Sequence, residues 1–149
     1  MYPRRRSRMR RAGFTLIELI VVMVILGLLA SLVLPKFARR QEQARRQHTI
    51  AQIGGLRDAL ELYMQDNGRY PTTAQGLMAL VEEPTAAPKP RKWEGYLETL
   101  PKDGWGYDFI YESPGTHSKD YDITSLGADN QEGGEELDAD IFSWDLPRE

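Results

Sequence analysis

At 149 residues and a formal net charge of −3, the chain has room for one modest domain beside an anchoring segment. It contains no cysteine and two histidines, so a disulfide framework and a thiolate or multi-histidine zinc centre are excluded. No nucleophile–base constellation stands out, and the arginine clusters lack the interleaved aromatics of a nucleic-acid surface, so neither catalysis nor a nucleic-acid partner is expected.

The chain opens on Arg4, Arg5, Arg6, Arg8, Arg10 and Arg11, followed by Gly13-Phe14-Thr15-Leu16-Ile17-Glu18. Residues 19–34 then carry no charge at all. From Phe14 to Leu34, at about 1.5 Å per residue, a helix reaches the roughly 30 Å of a bilayer core. Glu18 is the single carboxylate in that run, and an ionisable group there is expensive enough to count as functional by default. A carboxylate that merely reaches for the headgroups is the plainer reading of it. A secretory signal peptide, with the mature chain starting near Ser31, is the competing reading of the whole segment. Glu18 and the length of the apolar run oppose that reading. Charge does not fix the topology, because Lys36, Arg39, Arg40, Arg45 and Arg46 crowd the other flank.

Beyond the apolar run, Pro35 should kink or loosen the helix near Leu32. Ile50, Ile53, Leu56, Leu60, Tyr63 and Met64 recur every three or four residues, which predicts one apolar stripe serving as core for a packed sheet. Gly54 and Gly55 interrupt this stretch without an evident reason beyond close packing. Asn67-Gly68 reads as the helix stop. Thr72 and Gln75 read as a capping box opening a short helix, with Leu77, Leu80 and Val81 inward and Pro84 ending it. A Pro-rich loop over residues 85–92 follows, then a helical turn over 93–100 and a turn at Lys102-Asp103-Gly104-Trp105-Gly106. Short strands are expected at 107–111, 121–126 and 141–144. His48 and His117 read as plain surface residues.

Residues 127–140 form a glycine-punctuated acidic loop. Carboxylates and bent carbonyls together satisfy a hard cation such as Ca²⁺. The spacing is not that of an EF-hand, since Asp129-x-Gln131 breaks the pattern. On the residues alone, a solvated acidic loop is the better reading.

The string GFTLIELIVVMVILGLLASLVLP resembles the N-terminal signal of type IV pilins and type II secretion pseudopilins. DNGRYPTTAQGLMALVEEPT, the Leu-Pro-Lys-Asp-x-Trp-Gly run and YDITSLGAD…DADIFSW extend the resemblance to the major pseudopilins of type II secretion. The resemblance implies an α+β pilin-like fold: a long N-terminal helix, transmembrane and then packed on a small antiparallel sheet, with a C-terminal calcium loop. It implies a leader over 1–13, a transmembrane and filament-core helix over 14–34 and a periplasmic domain over 35–149. Cleavage by a prepilin peptidase would fall between Gly13 and Phe14, with N-methylation of Phe14. Glu18 would set register during assembly by answering a neighbouring subunit's terminal amine. One structural Ca²⁺ would be held by the carbonyls of Leu126 and Gln131 and the side chains of Asp129, Asp138 and Asp140. The implied partners are other copies, minor pseudopilins, an inner-membrane assembly platform, the peptidase and the membrane itself. A type IV pilin, or a soluble periplasmic calcium-binding protein with a cleaved signal peptide, are the alternatives.

Overall fold

The structure, a computed structural model, describes residues 13–147, leaving the side chains of residues 32–38 outside the description. The arginine-rich residues 4–11 therefore lie outside the described residues. The chain divides into two compact units, Met1–Arg39 and Arg40–Glu149.

Helix α1 spans Leu16–Asn67, and its helical pairing continues through Pro35. The proline does not end the helix, and the bend expected near Leu32 falls among the side chains outside the description. In the first unit, Thr15 caps α1 by accepting the Glu18 N–H on its hydroxyl at 3.3 Å. The large apolar side chains on either side of it, through Leu29, are exposed, from Phe14 at 83% to Val22 at 44%. Among the described residues no helix is long and apolar enough to cross a membrane. The described apolar side chains of α1 stop at residue 31, and 32–34, which complete the run, fall outside.

In the second unit the stripe on α1 is the core. Ile53, Leu56, Leu60 and Tyr63 are fully buried and pack with Leu77, Ala79, Leu80, Phe109, Tyr111, Ile123 and Ile141. Each buried Leu or Ile of this set stabilises the fold by roughly 1.5–3 kcal/mol. α1 stops at Gly68, whose φ of 72° lets its N–H return to the Met64 carbonyl at 2.7 Å. A Cβ built at Gly54 or Gly55 meets nothing within 4 Å, so close packing within the subunit does not explain them.

The capping box forms as expected. The Thr72 N–H donates to Gln75 Oε1 at 3.0 Å, and the Gln75 N–H donates to Thr72 Oγ1 at 3.3 Å. It opens a turn and then a 3₁₀ helix over Leu77–Leu80, not an α-helix, because Gly76 at φ 61° interrupts α geometry. Residues 93–100 are irregular instead of helical. Their polar groups go to the end of that 3₁₀ helix: the Tyr96 and Leu97 N–H groups donate to the Leu80 carbonyl, and Trp93 Nε1 to that of Ala79.

The sheet is antiparallel in the order β1 (Ile110–Glu112), β2 (Asp122–Ser125), β3 (Ile141–Phe142). Tyr111 pairs with Ile123, and Ser125 with Ile141. The strands are shorter than the alternation suggests because side chains intervene. Ser143 Oγ accepts the Ile123 N–H at 2.9 Å, and the chain turns into a 3₁₀ helix over Ser143–Asp145 that removes Trp144 from the sheet.

Candidate assembly and cation sites

Gly13 and Phe14 precede α1 without regular secondary structure, and both are exposed. Glu18 lies in the first turn of α1, where a carboxylate complements the helix dipole. The Thr15-x-x-Glu18 spacing is that of a capping box, a signal available in the sequence that the membrane pattern overshadowed.

The acidic loop is folded by its own backbone. Gly127 and Gly134 have φ of 66° and 82°, and a Cβ on either would come within 2.6 Å or 2.5 Å of the Asp138 carbonyl oxygen. That carbonyl is thus gripped between two glycines, and only glycine fits there. Asn130 and Glu136 also take positive φ. Asp140 Oδ2 accepts the Gly133 N–H at 3.0 Å, and Asp129 Oδ1 accepts that of Gln131 at 3.1 Å. The other Asp140 oxygen, Oδ1, is buried with no hydrogen-bond partner among the described residues. Arg46 of α1 reaches the loop and donates to the Ala139 carbonyl at 3.0 Å. Among the described residues, no group of three or more acidic or histidine side chains is placed to hold a metal ion. Asp129, Asp138 and Asp140 are therefore not gathered as a carboxylate triad. A cation here needs carbonyl oxygens beside carboxylates, and a hard, oxygen-seeking ion suits the unpaired Asp140 oxygen.

The model of the type II secretion system protein G family matches residues 36–144, and that of the prokaryotic N-terminal methylation motif matches residues 8–34. The chain belongs to the type II secretion system protein G family. The type II secretion system core protein G of Pseudomonas aeruginosa is 49% identical over 141 residues, covering 93% of this chain and 99% of that protein. That of Vibrio cholerae is 49% identical over 139 residues, covering 92% and 94%. The crystal structure of the major pseudopilin from the type 2 secretion system of enterohaemorrhagic Escherichia coli superposes with a TM-score of 0.64 at 41% identity. It covers 72% of this chain and 92% of that one. The pilin-like α+β fold is shared with that structure, and the chain is a pseudopilus subunit of type II secretion.

This pseudopilin also holds polar sites that the sequence reading passed over. Asp122 at the start of β2 is buried and accepts N–H groups from His117 at 2.7 Å and Ser118 at 2.8 Å. Burial alone would raise its pKa, but these hydrogen bonds outweigh it and hold the carboxyl at about 2. His117 lies at the surface, as expected, but it is engaged there. Its imidazole lies 3.3 Å from Asp122 and stacks on Trp144 at 4.0 Å, and Trp144 stacks in turn on Phe142. Asp103 is buried beneath the turn that precedes β1. It accepts the N–H groups of Trp105 and Tyr107 and the Ser125 hydroxyl. Both aspartates organise turns and touch no open site.

Proposed function

We propose that this pseudopilin is the major structural subunit of its pseudopilus, processed between Gly13 and Phe14 and methylated on Phe14. Residues 14–34 then form a single membrane pass in the bacterial inner membrane, with residues 35–149 in the periplasm. Polymerisation moves these helices into a filament core, and filament growth helps export folded proteins through the outer membrane. The observation that carries this reading is the start of α1, where consecutive apolar side chains are exposed on every side and one carboxylate, Glu18, interrupts them. A helix apolar all round needs lipid or other helices about it. Glu18 pairs there with the terminal amine of a neighbouring copy, which sets register more than it adds stability, since desolvation offsets most of the attraction. The chain is thus an enzyme's substrate and a building block, with its contacts being other copies, minor pseudopilins, an inner-membrane assembly platform and the prepilin peptidase.

The acidic loop is the structural calcium site in this reading. The carbonyls of Leu126 and Gln131 and the side chains of Asp129, Asp138 and Asp140 would hold the ion. Bound Ca²⁺ supplies positive charge that neutralises the clustered acids and cross-links the loop. The unpaired buried oxygen of Asp140 supports this assignment, as do the glycines that bend carbonyls inward.

Intact mass of the chain recovered from membranes tests the processing step. The expected species begins at N-methylated Phe14, and Gly13→Leu leaves the leader attached. A chain starting near Ser31, or unchanged processing of Gly13→Leu, removes the pseudopilin processing reading.

A further inference from the structure

Two loops of the second unit, one basic and one acidic, carry exposed charges that have no oppositely charged partner among the described residues. The first covers residues 85–92. Its backbone is held from outside by six side-chain hydrogen bonds. Arg69 donates to the carbonyls of Pro88 and Lys89, and Gln75 to those of Ala86 and Pro88. Asn67 Oδ1 receives the N–H groups of Arg91 at 2.7 Å and Lys92 at 3.1 Å. An exposed loop fixed this way loses little entropy when it docks. Lys92 pairs with Glu94 and Asp66, but Lys89 and Arg91 are exposed and have no acidic partner among the described residues.

The second loop is the acidic one. Glu132, Glu135 and Glu136 are exposed, lie outside the proposed calcium ligands, and have no cationic partner among the described residues. The one guanidinium seen bonded to this loop, that of Arg46, goes to the Ala139 carbonyl and forms no ion pair with these three glutamates among the described residues.

Both loops are tied to α1, one at Asn67 and the other at Arg46. Those positions are about 30 Å apart at 1.5 Å per residue. Attraction fades beyond roughly 10 Å, and among the described residues no ion pair joins the two loops of one subunit. We propose that the basic loop of one subunit, through Lys89 and Arg91, docks on the acidic loop of a second copy, through Glu132 and Glu135. The contact rests on the pseudopilus reading above. It joins unlike surfaces head to tail, the arrangement that builds an open helical polymer. Like ends repel, so the same charges also enforce polarity.

The chain has no cysteine, which makes crosslinking clean. Full-length chains pairing Lys89→Cys or Arg91→Cys with Glu132→Cys or Glu135→Cys are expressed with the assembly machinery, and filaments are oxidised. A ladder of covalent multimers is expected from the double variants, and dimers at most from each single one. Independently, Lys89→Glu with Arg91→Glu should lower filament yield about tenfold, and adding Glu132→Lys with Glu135→Lys should restore it. Filaments without a ladder from any pairing, normal yield after reversal, or no restoration would overturn the contact while leaving the pseudopilus reading intact. No filaments from the parent chain would overturn both.

Discussion

Asp122 shows how much a single residue contributes without touching any partner molecule. Its folded pKa of about 2 lies below the ordinary carboxylate value of 3.8. The stabilisation is therefore complete above the unfolded pKa and is lost as pH falls from about 4 towards 2. The shift corresponds to about 2 kcal/mol. Asp122→Asn should lower stability near neutral pH by that order and flatten the acid limb of a pH–stability curve. An unchanged acid limb would contradict the assignment. Tyr63 makes the opposite case, since its hydroxyl is buried without a hydrogen-bond partner among the described residues. Tyr63→Phe should leave the melting temperature unchanged or raise it, whereas a loss above about 1 kcal/mol would reveal a partner. The stripe placed Tyr63 in the core, but neither the Asp122 hydrogen bonds nor the unpartnered Tyr63 hydroxyl was legible in the sequence. Asp122 depends on how the 116–118 turn folds back over β2, and Tyr63 on which end of the ring finds room. The Thr15–Glu18 cap has a local spacing that could have been read, but the apolar run around it drew the reading to the membrane.

At the scale of elements, local chemistry read well and competition between elements did not. The α1 stripe, its glycine stop and the Thr72–Gln75 box follow from periodicity and capping within a few residues. The shortened strands and the irregular 93–100 segment result from side chains and carbonyls distant in sequence, such as Ser143 with Ile123 and Leu80 with Tyr96. The stripe's weight is measurable: Leu60→Ala should cost about 2–5 kcal/mol, read by denaturant midpoint. The acidic loop was visible as a cluster, but the unpaired Asp140 oxygen and the glycine grip on the Asp138 carbonyl were not. Gly127→Ala should disrupt that loop, since the added Cβ meets a carbonyl oxygen at 2.6 Å and the backbone holds a positive φ. In the parent chain, saturating calcium should raise stability by roughly 2.7 kcal/mol at 100 times Kd. Magnesium should not reproduce it, and Gly127→Ala should reduce it. Equal melting in calcium and in chelator would return the loop to solvated surface.

The whole molecule joins two chemistries on one helix. The first unit's part of α1 is exposed and apolar, and the second unit's part buries a stripe against a small sheet. That difference was plain in the sequence, since one run has no polar face and the other has a polar face at helical spacing. What sequence alone left open was whether the apolar half is discarded or retained; the matches to the protein G family and to the N-terminal methylation motif support the reading in which it is retained. Filament yield from cells expressing the full-length chain with the peptidase and assembly platform tests that account most directly. Filaments built of this chain are expected from the parent. Glu18→Ala should still insert and be cut, yet give few filaments. A parent chain that stays entirely in the membrane as single subunits would contradict the account.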